Sequence, residues 1–218
     1  MIEGEPLIRW DWIGSHLDEI GFRLFQHVEL TAIAIGVGFV IAFGLSLLIL
    51  RMPRFEGPVT WVTGTLYTIP SLALFALLIP YTGLTILSAE IGLVSYTLLI
   101  LIRNIVRGVR DVPAEVLEAA TGMGYDERDR FWRVEVPLAT AVIIAGIRVA
   151  TISTIGLVTV TAIIGQGGFG FLILIGIQRF FSTELIVGAV CSVSLAIFAD
   201  AMLVLLQRRL TPWSRVTG

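Results

Sequence analysis

Five apolar runs, each about twenty residues or longer, fill most of this chain, and one long polar stretch, 103–137, divides the third from the fourth. A helix needs about 20 apolar residues to cross the ~30 Å hydrocarbon layer of a bilayer. The sequence is 56% hydrophobic and 15% charged, where a soluble domain carries roughly 25% charged residues. The expected fold is therefore an all-α membrane protein with about five transmembrane helices, near 28–50, 57–80, 87–106, 138–164 and 185–206. No segment between them is long enough to bury a core of its own. Residues 28–218 thus read as one membrane domain, preceded by a polar segment, 1–27. That segment lacks a basic start followed by an apolar core, so the first span is expected to act as its own insertion signal.

Several spans carry features that plain anchors do not need. Gly36, Gly38 and Gly44 in the first suggest close helix approach. In the second, Thr60, Thr63, Thr65 and Thr68 precede Pro70 and Ser71. Pro70 removes a backbone donor in mid-span, which is tolerated where neighbouring helices or a cavity satisfy the freed carbonyl. Either a packing kink or a helix lining a translocation path results, and the cluster of hydroxyls favours the path. Glu90 sits near the outer end of the third span, within expected reach of water. Arg148 in the fourth is costly at that depth and is expected to face the protein interior, paired with Asp200 of the fifth or holding backbone carbonyls. The cluster 165–170, Gly-Gln-Gly-Gly-Phe-Gly, has no lysine and no preceding strand, so it is not a phosphate-binding loop. Half-apolar residues 171–184 after it suggest a partial, re-entrant or interfacial helix.

The polar segments add little catalytic chemistry. Residues 18–26 suit an interfacial helix, with Trp10, Trp12 and Phe22 at headgroup level. His16 and His27 have no cysteine or acidic cluster suited to a metal, and read as solvated surface residues. Cys191 is the only cysteine, lies in an apolar run and has packing as its expected role.

The stretch 103–137 is the most informative. Pro113 suits the first turn of a helix, and 114–120 are good helix formers. Gly122 and Gly124 end that helix within two residues. Asp126 can cap a second short helix over 127–134, after which Pro137 opens the next apolar run. A short helix, a glycine elbow and a second short helix between two spans are expected, with Ala119, Ala120 and Gly124 small enough for a partner to approach closely. On topology alone this is also what an amphipathic loop on the headgroups looks like, anchored by Phe131 and Trp132.

The spacing distinguishes them. Glu118-Ala119-Ala120, three residues, Gly124, nine residues, then Val134, Glu135, Val136 and Pro137 resembles the EAA loop of binding-protein-dependent ABC importer permeases, without a gap. Valine stands where isoleucine and leucine are commoner. The stretches 68–74, 101–104, 145–148 and 164–170 look like those of osmoprotectant permeases handling glycine betaine, carnitine and choline; the resemblance spans about 32–206. It implies the five-helix core of a type I importer permease, in which Glu118, Ala119, Ala120, Gly122, Gly124, Val134, Val136 and Pro137 couple to a cytoplasmic ATPase dimer. It also implies a second permease copy or paralogue and an extracellular or periplasmic binding protein. Pro70, Ser71, Gly165, Gln166, Gly167, Gly168 and Gly170 are expected along the path or its outer gate. ATP and magnesium belong to the partner ATPase, no cofactor, metal or catalytic residue is expected in this chain, and no nucleic acid is implied.

Charge gives an independent orientation. With 103–137 in the cytoplasm of a cell-membrane protein, five spans place the N-terminus outside and the C-terminus inside. Arg51, Arg54, Arg103, Arg107, Arg110, Arg128, Arg130, Arg133, Arg208, Arg209 and Arg215 then lie inside, against Arg9, Arg23 and Arg179 outside, which follows the positive-inside rule. A membrane enzyme would need converging ionisable groups, and only Arg148 and Asp200 lie within spans as candidates. A secondary transporter often shows an internal repeat, and none is evident. Within the importers, methionine or another amino acid is the alternative substrate.

Overall fold

The structure is a computed structural model that describes residues 7–215. Residues 1–6 and 216–218 of the two expected segments lie outside the described residues. Among the described residues all regular structure is helical. Helix α1 (Trp10–Ser15) leads into α2 (Leu17–Arg51), followed by α3 (Glu56–Thr68), α4 (Ser71–Thr82) and α5 (Ile86–Arg110). Two short helices, α6 (Ala114–Gly122) and α7 (Glu127–Arg130), precede α8 (Val136–Val160), and α9 (Gly168–Gln178) and α10 (Ser182–Leu210) close the fold. Four helices are long and apolar enough to cross a membrane, five if the bent pair α3–α4 counts as one span.

Helix α5 is the hub. It packs along α2 and α8 and also meets α3 and α4. Its buried residues run down several faces, from Ala89 and Leu93 to Ile105 and Val109, as expected of a helix surrounded by others. Two clusters result. Ala42, Ile49, Leu101, Ile105, Ile143 and Ala150 fill one, and Leu30, Ala34, Phe75, Leu93 and Val158 the other. Close approach is bought locally by glycine: a Cβ on Gly38 would lie 2.1 Å from Thr97 Oγ1, and one on Gly146 would lie 2.4 Å from Asn104 Cβ. Gly36 and Gly44 have nothing within 4 Å, so of the three glycines expected to bring the first span close to a neighbour, only Gly38 does so within this chain.

Several expectations need correction. Residues 18–26 form no separate interfacial helix; they are the first turns of α2. Gly21 alone does not break a helix, so nothing stops it between Leu17 and Arg51. At 35 residues α2 is ~52 Å long, so its N-terminal turns project beyond the hydrocarbon layer. His27 is fully buried rather than solvated. Glu90 is buried too, and among the described residues neither carboxylate oxygen has a hydrogen-bond partner, because α5 meets its neighbours near its start instead of opening to water. The expected single span 57–80 is two helices bent by 99°.

After α8 the chain turns back through the glycine cluster. Helix α9, with 11 residues, is ~16 Å long and too short to cross. It pairs with α10 as a hairpin and lies against α2 and α8. Glycine sets those distances: a Cβ on Gly170 would lie 2.1 Å from the Thr159 carbonyl oxygen, and one on Gly176 2.5 Å from the Leu185 nitrogen. Because the obstruction at Gly170 is backbone, it cannot rotate away. Gly170→Ala is expected to destabilise the protein by about 1–3 kcal/mol, read as a lower thermal midpoint in detergent; an unchanged midpoint would refute this account of the α8–α9 contact.

Candidate functional site

The polar stretch builds a compact device at one end of the bundle. Pro113, extended at ψ 137°, caps α6 instead of entering its first turn. The far end closes with the Tyr125 N–H on the Ala120 carbonyl (3.2 Å) and the Gly124 N–H on the Thr121 carbonyl (3.0 Å), a glycine-terminated helix end. Gly124 has φ +89°, a conformation L side chains rarely adopt. The Asp126 carboxylate then accepts the Asp129 N–H at 2.7 Å and caps α7.

The second helix does not end at Val134. From α7 the chain passes through a wide π turn, Phe131–Glu135, straight into α8. Pro137 has no N–H to offer the Arg133 carbonyl, and the ladder widens just ahead of it. The stem under α6 is thus continuous with the fourth span instead of a separate short helix. Arg130 ties the parts together: Nε donates to Glu135 (3.1 Å) and Nη1 to Thr121 Oγ1 (3.3 Å). No motif marked Arg130; its five-residue separation from Glu135 brings the two together only through the π turn.

Glu118, Ala119 and Gly122 are exposed on α6, and Met123 and Gly124 are exposed just past its end. Ala120 is 1% exposed; it packs inward and offers nothing to a partner, contrary to expectation. Val134, Val136 and Pro137 are half-buried in the stem and do not share the surface of α6.

At Pro70 the backbone breaks. Ile69 and Pro70 are both extended, with ψ 129° and 133°, since the residue before proline is held out of the helical region. The Tyr96 hydroxyl donates to the Ile69 carbonyl that the break exposes. A cavity of about 350 Å³ opens beside it, walled by Tyr67, Pro70 and Ser71 on one side and Tyr96, Ala150 and Thr154 on the other. Its α5 residues lie about halfway along that helix, and its α8 residues in the C-terminal half of α8. Tyr96 carried no sequence signal, because an aromatic in an apolar run reads as core.

The cluster 165–170 is held against α2. Gly165, Gly167 and Gly168 have φ of 78°, 135° and 35°. His27 Nε2 meets the Ile155 carbonyl at 3.0 Å, and the Phe169 N–H reaches Nδ1 at 3.4 Å. Both contacts are satisfied by one tautomer, with the proton on Nε2. Gly167, Gly168 and Gly170 are buried, Gln166 is half-buried and Gly165 is exposed. Gln166 Nε2 reaches the Leu84 carbonyl at 3.5 Å. The structure therefore brings Pro70 and Ser71 together on one cavity and sets the glycine cluster apart, beside the turn after α4.

Arg148 and Asp200 do pair, through two hydrogen bonds of 2.8 and 3.0 Å between α8 and α10. Gln207 also reaches Arg148 at 3.5 Å and donates to the Ala141 carbonyl at 3.2 Å. Among the described residues no group of three His, Cys, Asp or Glu side chains is placed to hold a metal.

The family model described as binding-protein-dependent transport system inner membrane component matches residues 25–212. The chain belongs to that family. This permease is 38% identical over 210 residues to an osmoprotectant import permease protein of Salmonella typhimurium, covering 93% of this chain and 98% of the other. It is 36% identical over 194 residues to a choline transport system permease protein of Bacillus subtilis, and 34% identical over 194 residues to a glycine betaine/carnitine/choline transport system permease protein of the same organism, with 89% of each chain covered in both cases. Among solved structures, a chain of the MetNI methionine ABC transporter in an inward-facing conformation matches with a TM-score of 0.77 at 19% identity, over 88% of this permease and 96% of that chain. That likeness shares the fold. The permease is a multi-pass membrane subunit of a type I ABC importer, with ATP hydrolysis in a partner subunit. The family also implies a substrate-binding protein among its partners.

Proposed function

We propose that this permease imports a small compatible solute such as glycine betaine, carnitine or choline, and that a cytoplasmic ATPase dimer drives it through α6. The observation that carries the coupling reading is the exposed α6, ended at Gly124 and fastened by Arg130 to a stem continuous with α8. A displacement of α6 is then transmitted to a membrane-crossing helix as a rigid body. The names of the relatives support the solute class.

On this reading Glu118, Ala119, Gly122 and Gly124 meet the ATPase, while Ala120, Val134, Val136 and Pro137 hold the element in shape. ATP and magnesium stay in the ATPase, and this chain carries no cofactor. A second permease copy or a paralogue completes the path, and a binding protein outside the cell membrane delivers the solute. The path runs past Pro70 and Ser71, with Gly165 to Gly170 near its outer gate. The N-terminus lies outside, and α6 and the C-terminus lie in the cytoplasm.

The test is uptake in an osmotically stressed host lacking its own betaine importers, with this chain expressed beside its ATPase and binding protein. Labelled glycine betaine, carnitine, choline and methionine are supplied in parallel. ATP-dependent uptake of at least one quaternary amine is expected. Uptake of methionine alone would retain the importer and overturn the solute.

A further inference from the structure

We propose that the cavity at the α3–α4 break is a low-affinity resting point for a zwitterionic quaternary amine. The Tyr67 and Tyr96 rings would face its ammonium group, and the hydroxyls of Ser71, Ser153 and Thr154 its carboxylate. This rests on the proposed solute class and on the path passing Pro70.

Three observations carry it. First, the cavity has aromatic walls at mid-span. The Tyr67 and Tyr96 ring centroids lie 5.8 Å apart in an edge-to-face contact, and both rings line the same space. The edge-to-face contact still leaves ring surface toward the cavity. Alkylated ammonium groups bind ring faces without needing hydrogen bonds, because they have no N–H to satisfy. The Tyr96 ring is fixed by its hydroxyl on the Ile69 carbonyl, so its orientation is set before any solute arrives.

Second, the cavity wall offers unused donors. Thr68 spends its hydroxyl on the Thr65 carbonyl. Ser71, Ser153 and Thr154 line the cavity and make no hydrogen bond to the described chain. A serine or threonine buried in a helix usually bonds back to the preceding turn, as Thr31, Thr63 and Thr151 do here. Hydroxyls left free beside an open space are available to an incoming acceptor.

Third, no formal charge lines the cavity. A solute with a net charge finds no counter-charge there, so choline, a cation, would be held by the rings alone. A zwitterion with a shielded ammonium needs none, since rings and hydroxyls stabilise its two ends separately. The cavity volume of about 350 Å³ falls within the range of small-molecule sites. Weak contacts suit passage, because a tight site would hold the solute.

The experiment uses the assembled importer in proteoliposomes, with the binding protein saturated by labelled glycine betaine. Uptake is normalised to ATP hydrolysed for the parent, Tyr67→Phe, Tyr67→Leu and Ser153→Ala. Tyr67 is 41% exposed, so its truncation is mild for folding. Tyr67→Phe keeps the ring and loses only the hydroxyl, so its uptake per ATP is expected to fall less than that of Tyr67→Leu. Tyr67→Leu is expected to lower uptake per ATP about threefold to tenfold, and Ser153→Ala by a smaller factor. If the parent carries glycine betaine and Tyr67→Leu matches it, the resting point is refuted and the solute class stands. If the parent carries methionine and no quaternary amine, the solute class is refuted and the resting point falls with it.

Discussion

Gly124→Val is expected to reduce solute uptake by more than about tenfold while leaving the amount of permease in the membrane at the parental level. Gly124 has φ +89°, where an L residue costs about 1–2 kcal/mol and a β-branched one more. Nothing lies within 4 Å of a Cβ built there, so the penalty is conformational and not a clash. The strain is relieved by unwinding the end of α6, which loses the bonds from Tyr125 and Gly124 to Ala120 and Thr121. The Arg130 contact to Thr121 goes with them. Because the stem and α8 are fixed by their own packing, the damage stays local: insertion survives and coupling does not. Gly124→Ala is expected to fall between parent and valine. Labelled-solute uptake beside a quantitative membrane immunoblot reads both quantities, and normal uptake at normal abundance would defeat the coupling role of the elbow.

The second large effect concerns Asp200. Replacing it with leucine leaves the Arg148 guanidinium between α8 and α10 with only Gln207 at 3.5 Å. The pair keeps about 30% side-chain exposure, but it lies between two spans, where a lone charge costs more than a neutral pair of side chains because it loses its compensation. Asp200→Leu is therefore expected to lower the folded yield in detergent to roughly a third or less. The double change Arg148→Leu with Asp200→Leu is expected to recover most of that loss. Size-exclusion profiles of the parent and the two variants measure it. Equal losses in the single and double variants would show that the pair holds the helices by geometry rather than by cancelling charge.

How far the chain was legible depends on where each signal resides. Apolar runs report helix length and burial together, so the long helices α2, α5, α8 and α10 were visible. The glycine elbow and the Asp126 cap follow local rules, and both stand where spacing put them. The Arg148–Asp200 pair followed from the cost of isolated charge in lipid. What failed was knowledge carried by neighbours in space. An unbroken α2 from Leu17 was hidden because polar composition was read as a change of element, although helix propensity runs through it. The 99° bend at Pro70 exceeds a kink because both Ile69 and Pro70 became extended, a choice made together with the Tyr96 hydroxyl. His27 looked wet because its segment is polar, and Glu90 because it stands near the end of a span. Partners from α8 and α9 bury the first, and the packing around the start of α5 buries the second. Ala120 looked like contact surface because small size serves inward packing as well as outward docking.

His27 also sets an order in time. Its imidazole sits on the first long helix to be made, yet the Ile155 carbonyl and the Phe169 N–H follow 128 and 142 residues later. At ~5–20 residues per second, a ribosome needs on the order of ten seconds to deliver them. Throughout that interval the first helix waits with a polar ring that has neither of its final partners. The turn that supplies them is therefore the clasp that completes assembly, fastening the last third of the polypeptide to its beginning.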